Sequence, residues 1–391
     1  KNPKNTQAYL QYGEFLAMTG SQGKDVQALL ERGLVATPTS APIRMALVRL
    51  LIQSGDQKRA LLLAQEASAA APEDPAVQDL LGRAQVAAGE LQQALSTYGK
   101  LVLRMPNSPA PLLAMADLQV ATKDLASAEQ SLRKALAIKA DNVEAQQRLI
   151  AILLNNQRGD AAVGVARDMQ KQRKDAAIGY VLEGEVLGAM GKNMEALAPL
   201  EEAFKRDKGP QSVVRLYRAR VAAGQTAEAA KLAADWVKAN PKDLVLRSFL
   251  AERSLADKKY ELAAQQYRQM LELAPKNAML LNNLAWVLGK LGDKTAISVA
   301  QQAVALAPNS PVVLDTLGVL LIESGDTAKG LEQLRKAVSL GPKLPQLRLS
   351  LARALAKSGD KDGARRELDA AIGNAPEKSP VRVELEKLKA S

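Results

Sequence analysis

The feature that most constrains this chain is a sequence pattern that returns about every 34 residues. Each copy has an apolar stripe at the i, i+3, i+4, i+7 spacing of a helix face, then a turn, then a second stripe. The clearest first stripe is Leu281, Leu284, Ala285 and Leu288, and Ala296 begins the second. Since one helix pair cannot bury its apolar face alone, the pattern predicts a tandem array of stacked pairs.

The units of this array end at regularly spaced positions, most of them prolines. Successive ends are 34 residues apart, except for two steps of 33. They are predicted near residues 38, 72, 106, 140, 174, 208, 241, 275, 308, 342 and 376. The array of eleven units therefore spans 1–376, and its first unit lacks a preceding cap, as expected for part of a longer array. In 377–391, Ser379 can cap a helix and Pro380 suits its first turn, which predicts a C-terminal capping helix.

Two recurring positions hold small side chains, as close helix packing requires. The second helix carries Ala60, Ala94, Ala128, Ala162, Ala196, Ala229, Ala263, Ala296 and Ala364 at equivalent places. The first helix carries Gly13, Gly82, Ala116, Gly184, Ala251, Ala285, Gly318 and Ala352. Val48, Ile150 and Tyr217 occupy that slot in the other three units. We expect those three pairs to pack less closely.

Between the two helices stands a glycine followed by a polar residue. The seven glycines of this type are Gly55, Gly89, Gly191, Gly224, Gly292, Gly325 and Gly359. Glycine adopts the left-handed conformation that ends many helices, and the following polar residue can cap the next helix. We therefore predict positive φ angles at these glycines.

Composition narrows the function classes. Only 3% of the 391 residues are aromatic, which favours many thin alanine and leucine layers over one large core. The chain has no cysteine and no histidine, which removes disulfides, thiolate and imidazole metal ligands, and the commonest general base. No catalytic, cofactor-binding or metal site is predicted, and the chain is expected not to be an enzyme.

The net charge of +11 leaves two interpretations open. It can attract an anionic polymer, either polysaccharide or nucleic acid, or it can simply solvate helix surfaces. Acids interrupt the basic clusters, as at Lys205–Lys208, and aromatic residues for base stacking are sparse. No nucleic-acid partner is therefore expected. No apolar run approaches the roughly 18–20 residues that span a bilayer, so no transmembrane segment is predicted and the chain is expected to be soluble.

The repeat resembles the tetratricopeptide repeat. The resemblance rests on the period, the small residues at the eighth and twentieth positions, alanine at the twenty-seventh, and proline at the thirty-second. It implies an all-α, right-handed superhelical solenoid whose first helices line a concave groove, which would bind a protein partner. Candidate groove residues are Arg49, Arg83, Glu185, Arg218, Glu252, Asn282, Trp286, Lys290, Asp315, Glu323 and Arg353.

Trp286 is the most specific of these candidates. A tryptophan in a groove is a typical partner anchor. Asn282 and Lys290 lie four residues before and after it on the same helix face, and Asp315 and Glu323 of the next unit would border it. The alternative is that Trp286 packs against a neighbouring helix. Trp236, by contrast, is predicted to fill the core.

A narrower resemblance covers chiefly residues 275–376. The strings LNNLAWVLGKLGD and RLSLARALAKSGDKDGARREL are similar to the last repeats of bacterial lipoproteins of the exosortase/PEP-CTERM sorting system. This resemblance implies a periplasmic, outer-membrane-linked scaffold in exopolysaccharide production or export. The anchoring cysteine of those lipoproteins is absent here, and the sequence leaves the oligomeric state open.

Overall fold

In the computed structural model, which describes residues 5–19, 23–377 and 379–390, the described elements are all α-helices. Residues 1–4, 20–22, 378 and 391 of the predicted array and capping helix lie outside the described residues. The chain divides into two compact units, Lys1–Asp207 and Lys208–Ser391. We describe each unit by itself.

The first unit is a succession of antiparallel helix pairs. Its described helices are α1 (Thr6–Met18), α2 (Gly23–Ala36), α3 (Ala41–Ser54), α4 (Gln57–Ala70), α5 (Pro75–Ala87), α6 (Leu91–Arg104), α7 (Ala110–Ala121), α8 (Leu125–Ile138), α9 (Val143–Asn155), α10 (Gly159–Gln172), α11 (Ile178–Ala189) and α12 (Asn193–Arg206). Each helix packs against its neighbours in sequence, so the layers stack along the chain. This is the arrangement of a solenoid.

The second unit continues the same pattern and ends in a single helix. Its described helices are α13 (Pro210–Ala222), α14 (Thr226–Ala239), α15 (Leu244–Ala256), α16 (Tyr260–Leu273), α17 (Ala278–Lys290), α18 (Ala296–Leu306), α19 (Pro311–Ser324), α20 (Thr327–Leu340), α21 (Pro345–Lys357), α22 (Lys361–Asn374) and α23 (Pro380–Ala390). The predicted all-α solenoid of helix pairs is confirmed.

The glycine turns adopt the predicted backbone conformation. All seven predicted glycines have positive φ, from 68° at Gly292 to 96° at Gly325. The polar residue after the glycine caps the second helix in several pairs. Asp56, Asp326 and Asp360, for example, accept hydrogen bonds from backbone amides three residues later. Three other turns, which lack glycine, use Lys123, Gln157 and Lys258 at positive φ, and the sequence did not predict these.

The small residues of the first helices allow the close approach that was predicted. A Cβ atom on Gly184 would lie 2.4 Å from Leu200 Cγ, and one on Gly318 would lie 2.7 Å from Leu334 Cγ. Val48, Ile150 and Tyr217 take this slot in three other pairs, and the looser packing expected of those pairs stays a prediction. In the pairs with Gly184 and Gly318, the missing side chain therefore allows the close approach of the two helices.

The capping helix α23 covers the end of the last pair. Leu385 is fully buried against Leu349 and Ala371, and Val381 and Leu388 pack around them. Ser379 Oγ accepts a hydrogen bond from the Arg382 amide at 3.2 Å, which confirms the predicted N-cap. None of the helices described is long and apolar enough to cross a membrane.

Candidate partner-binding groove

The predicted groove face of the second unit is formed by the first helices of three consecutive pairs, α17, α19 and α21. These helices lie side by side, α17 against α19 and α19 against α21. A pocket of about 560 Å³, which we call the C-terminal pocket, opens on this face. Of the predicted groove residues, its lining contains Trp286, Lys290, Asp315, Glu323 and Arg353. The structure thus brings together five residues that are up to 67 positions apart in sequence.

The indole of Trp286 is partly packed and partly open. Its ring meets the Tyr260 ring of α16 edge to face, with 6.1 Å between the centroids and 73° between the planes. Lys290 Nζ lies 5.3 Å from the indole centroid, within cation–π range. The residue nevertheless keeps 40% of its surface exposed. Trp286 therefore packs against a neighbouring helix and also presents surface to the groove.

Asp315 is a poorly solvated carboxylate in the C-terminal pocket. Burial raises its pKa to about 6, and a hydrogen bond with the Ser350 side chain acts in the opposite direction. Its Oδ1 atom is buried and accepts no hydrogen bond. A buried acceptor without a donor costs free energy. The carboxylate would therefore gain from a donor that a ligand brought into the pocket.

The basic side chains of the C-terminal pocket come mainly from α21. Arg353 forms an ion pair with Glu384, so the capping helix holds this guanidinium at the pocket. Lys357 Nζ donates to the Ile322 carbonyl at 3.0 Å. Lys357 and Gln346, which also line the pocket, were not singled out from the sequence. Lys357 stands at the thirteenth position of its repeat unit and Gln346 at the second. Lys290 also stands at the thirteenth position of its unit, so the spacing of the repeat could have predicted both residues.

A second pocket of about 430 Å³, the Glu252 pocket, shares Trp286 and Thr316 with the first. Ser248 and Glu252 from α15 and Asn282 from α17 line it. The sequence placed Asn282 on the groove face, and the structure adds that its side chain is buried there, at 5% exposure. Trp286 therefore stands between two pockets that together contain seven of the predicted groove residues.

The other four predicted residues line neither pocket. Arg218 lies over the Phe249 ring, with its Cζ 5.6 Å from the centroid. Arg83 forms an i, i+4 ion pair with Asp79 at 2.8 Å. Arg49 and Glu185 are exposed on first helices of the first unit.

The first unit has a groove pocket of its own, of about 440 Å³, between α7, α8 and α9. It is mostly apolar, with Val120, Leu125 and Ile152 in its lining. At its polar part, Arg148 binds Asp117 at 2.9 Å. Burial raises the pKa of Asp117, and the Arg148 guanidinium opposes that rise. In the sequence, only the position of Asp117 among the predicted groove-facing residues pointed to this pocket.

Trp236 confirms its predicted core role. It is 9% exposed, and its indole nitrogen donates to Asp243 Oδ2 at 2.5 Å. The two tryptophans of the chain therefore differ in exposure, since Trp236 is buried and Trp286 is partly exposed.

Family models described as the tetratricopeptide repeat match residues 21–84, 76–108 and 321–382. These segments of the chain are similar to tetratricopeptide repeats. The last match covers α20, α21 and α22, and so it includes Arg353 and Lys357 of the C-terminal pocket. No curated protein matches the chain.

Several solved structures are similar to this chain. The APC/C hetero-tetramer Cut9-Hcn1 has 12% identity and a TM-score of 0.39, with 100% of this chain and 98% of that chain covered. A tetratricopeptide repeat protein from Parabacteroides merdae has 15% identity and a TM-score of 0.42. The match covers 72% of this chain and 98% of that chain. A thermophilic tetratricopeptide repeat protein from Thermus thermophilus has 22% identity and a TM-score of 0.39. The match covers 47% of this chain and 100% of that chain.

Proposed function

We propose that this tetratricopeptide-repeat chain is a non-catalytic scaffold, and that the groove face of α17, α19 and α21 holds an extended or helical segment of a partner protein. The observation that carries the proposal is the half-open indole of Trp286 between two pockets. Large aromatic side chains at the centre of a groove supply much of the binding energy at many interfaces. The ring is already held by Tyr260, so little side-chain entropy is lost on binding.

The lack of histidine and cysteine supports binding over catalysis. The Asp315 carboxyl, whose pKa burial raises to about 6, is paired with Ser350 and not with a base that could activate a nucleophile. Tandem repeats offer a long surface on which many weak contacts can add up. We therefore assign the chain to recognition.

We further propose that the scaffold acts at the bacterial cell envelope, in exopolysaccharide production or export or in protein sorting. This part rests on the resemblance of the strings near Leu281–Asp293 and Arg348–Leu368 to the sorting-system lipoproteins. Recovery of envelope proteins by the native chain, in a cross-linking pull-down that Trp286→Ala abolishes, is expected. Recovery of cytoplasmic proteins alone would contradict the proposed compartment.

A second candidate function is binding of an anionic polymer, and the net charge of +11 favours it. Many basic side chains are, however, engaged in ion pairs with acids of neighbouring helices, such as Arg158 with Glu129 and Arg148 with Asp117. The two functions differ in salt dependence. For polymer binding, the logarithm of the binding constant should fall steeply and linearly with the logarithm of the salt concentration. The affinity of groove binding around an aromatic anchor should change little with salt.

The proposed function is tested by peptide selection. A displayed library of random short peptides would be selected on the immobilised chain, and binders would be measured against the wild type and Trp286→Ala. We expect binders whose affinity falls roughly thirtyfold in the variant, as for an interface hot spot. If the affinity of all binders is the same for the wild type and for Trp286→Ala, and circular dichroism shows an intact fold, the groove is not the binding site.

A further inference from the structure

We propose that the Glu252 pocket, bounded by Glu252, Asn282 and Trp286, receives a lysine or arginine side chain of the bound partner segment. This inference rests on the proposed function, because it names the partner chemistry of one part of the same groove. The pocket is distinct in character from the C-terminal pocket, which contains the cations of Lys290, Arg353 and Lys357.

The first argument is charge. Of the described residues that line the Glu252 pocket, only Glu252 carries a formal charge at neutral pH. Its negative charge also reaches the interior of the pocket. Burial raises the pKa of Tyr267, and the charge of Glu252 raises it further, while a hydrogen bond with Asn283 lowers it. A cation entering the pocket would therefore find one uncompensated carboxylate.

The second argument is that several polar groups of the pocket have acceptor atoms available. Thr316 donates its hydroxyl proton to the Val312 carbonyl at 3.2 Å, and Ser248 donates to the sulfur of Met270 at 3.4 Å. Both hydroxyl oxygens therefore keep lone pairs available. Asn282 donates through Nδ2 to Asn283 Oδ1 at 3.3 Å, whereas its own Oδ1 is buried and accepts nothing.

An ammonium has three donors and no acceptor, and a guanidinium has five donors and no acceptor, so either group complements this set. An acidic side chain would be repelled by Glu252 and would leave the free acceptor of Asn282 without a donor. The Trp286 ring adds an aromatic surface on which the alkyl stem or the planar guanidinium can lie. The net charge of the chain is strongly positive and should repel a partner segment with several consecutive basic residues. We therefore expect the pocket to select a segment with one basic side chain.

The test uses binders selected from the random peptide library on the full chain. Each would be synthesised with its basic residue intact and with arginine replaced by citrulline, a neutral isostere. Affinities would be measured on the wild type, on Glu252→Gln, and on Glu272→Gln as a matched control. Glu252 and Glu272 are both exposed, and Glu272 lines neither pocket, so both variants should fold.

We expect the citrulline change and Glu252→Gln each to weaken binding about fivefold, with no further loss when they are combined. Glu272→Gln should have no effect. If Trp286-dependent binders lack a basic residue, or if Glu252→Gln does not alter the citrulline effect, this inference is wrong although the proposed function stands. If no binder depends on Trp286, both are wrong.

Discussion

The Trp286 ring is held edge to face by Tyr260, at 6.1 Å between centroids, although the two residues belong to different helix pairs. This contact fixes the orientation in which the indole is presented to the groove. The packing and anchoring interpretations of Trp286 are therefore linked, because the packed part of the ring orients the open part.

Tyr260→Ala is expected to weaken partner binding indirectly. Loss of an edge-to-face pair costs about 0.5–1.5 kcal/mol and frees the indole to rotate. Selected peptides should then bind roughly threefold to tenfold more weakly, with a smaller loss than in Trp286→Ala. Titration calorimetry with the selected peptides checks this, and Tyr260→Phe, which keeps the ring, should bind as the wild type does. Equal losses in Tyr260→Phe and Tyr260→Ala would argue against the orienting role.

The stability of the second unit should depend on pH through Asp315. Its pKa in the folded chain is about 6, above the ordinary 3.8, so the folded state binds more protons than the unfolded state between these values. Stability should therefore fall as the pH rises from about 4 to about 6, by about 1–3 kcal/mol. Asp315→Asn should remove this dependence and stabilise the chain at neutral pH.

Urea midpoints at several pH values would measure this effect, with the exposed Asp235→Asn as a control that keeps the wild-type profile. A wild-type stability that rises over the same pH range, after subtraction of the control, would contradict the assignment to Asp315.

Two glycines one helical turn apart on α11 should respond in opposite directions to alanine. A Cβ at Gly184 would collide with Leu200, so Gly184→Ala should destabilise by about 1–3 kcal/mol. Gly188 has open space at its Cβ position, so Gly188→Ala should stabilise by about 0.5–1 kcal/mol through helix propensity. Thermal denaturation of the two variants compares them directly. Destabilisation by both would mean that α11 does not tolerate added side chains at all.

Arg104 should connect two successive helix pairs of the first unit. Its guanidinium donates to the Pro72 carbonyl at 2.5 Å and to Glu73 at 2.7 Å. Arg173 reaches the Asp141 carbonyl and Arg206 the Lys174 carbonyl in the same way. Arg104→Ala should cost about 0.5–1.5 kcal/mol and raise amide hydrogen exchange near Pro72 and Glu73. Glu73→Ala should cost less, because the backbone contact remains. If amide hydrogen exchange near Pro72 and Glu73 is unchanged in Arg104→Ala, Arg104 does not connect the two helix pairs.

The local features of the fold follow from the sequence alone. Glycine spacing predicted seven left-handed turns, and the small residues predicted the close helix approach seen at Gly184 and Gly318. These features depend on the conformational limits of single residues and on their spacing along one helix. The turns at Lys123, Gln157 and Lys258 escaped prediction because no glycine stands there to mark the positive φ.

What the tertiary structure decided is which of the predicted groove residues converge. Trp286, Asp315 and Arg353 meet in one pocket, whereas Arg49, Arg83 and Glu185 do not line it. The repeat gives every unit the same groove-facing positions, so the sequence ranks these residues alike. Convergence, burial of Asn282 and Asp315, and the contact of Trp286 with Tyr260 depend on side chains from different helix pairs. Those relationships are set only when the helices stack.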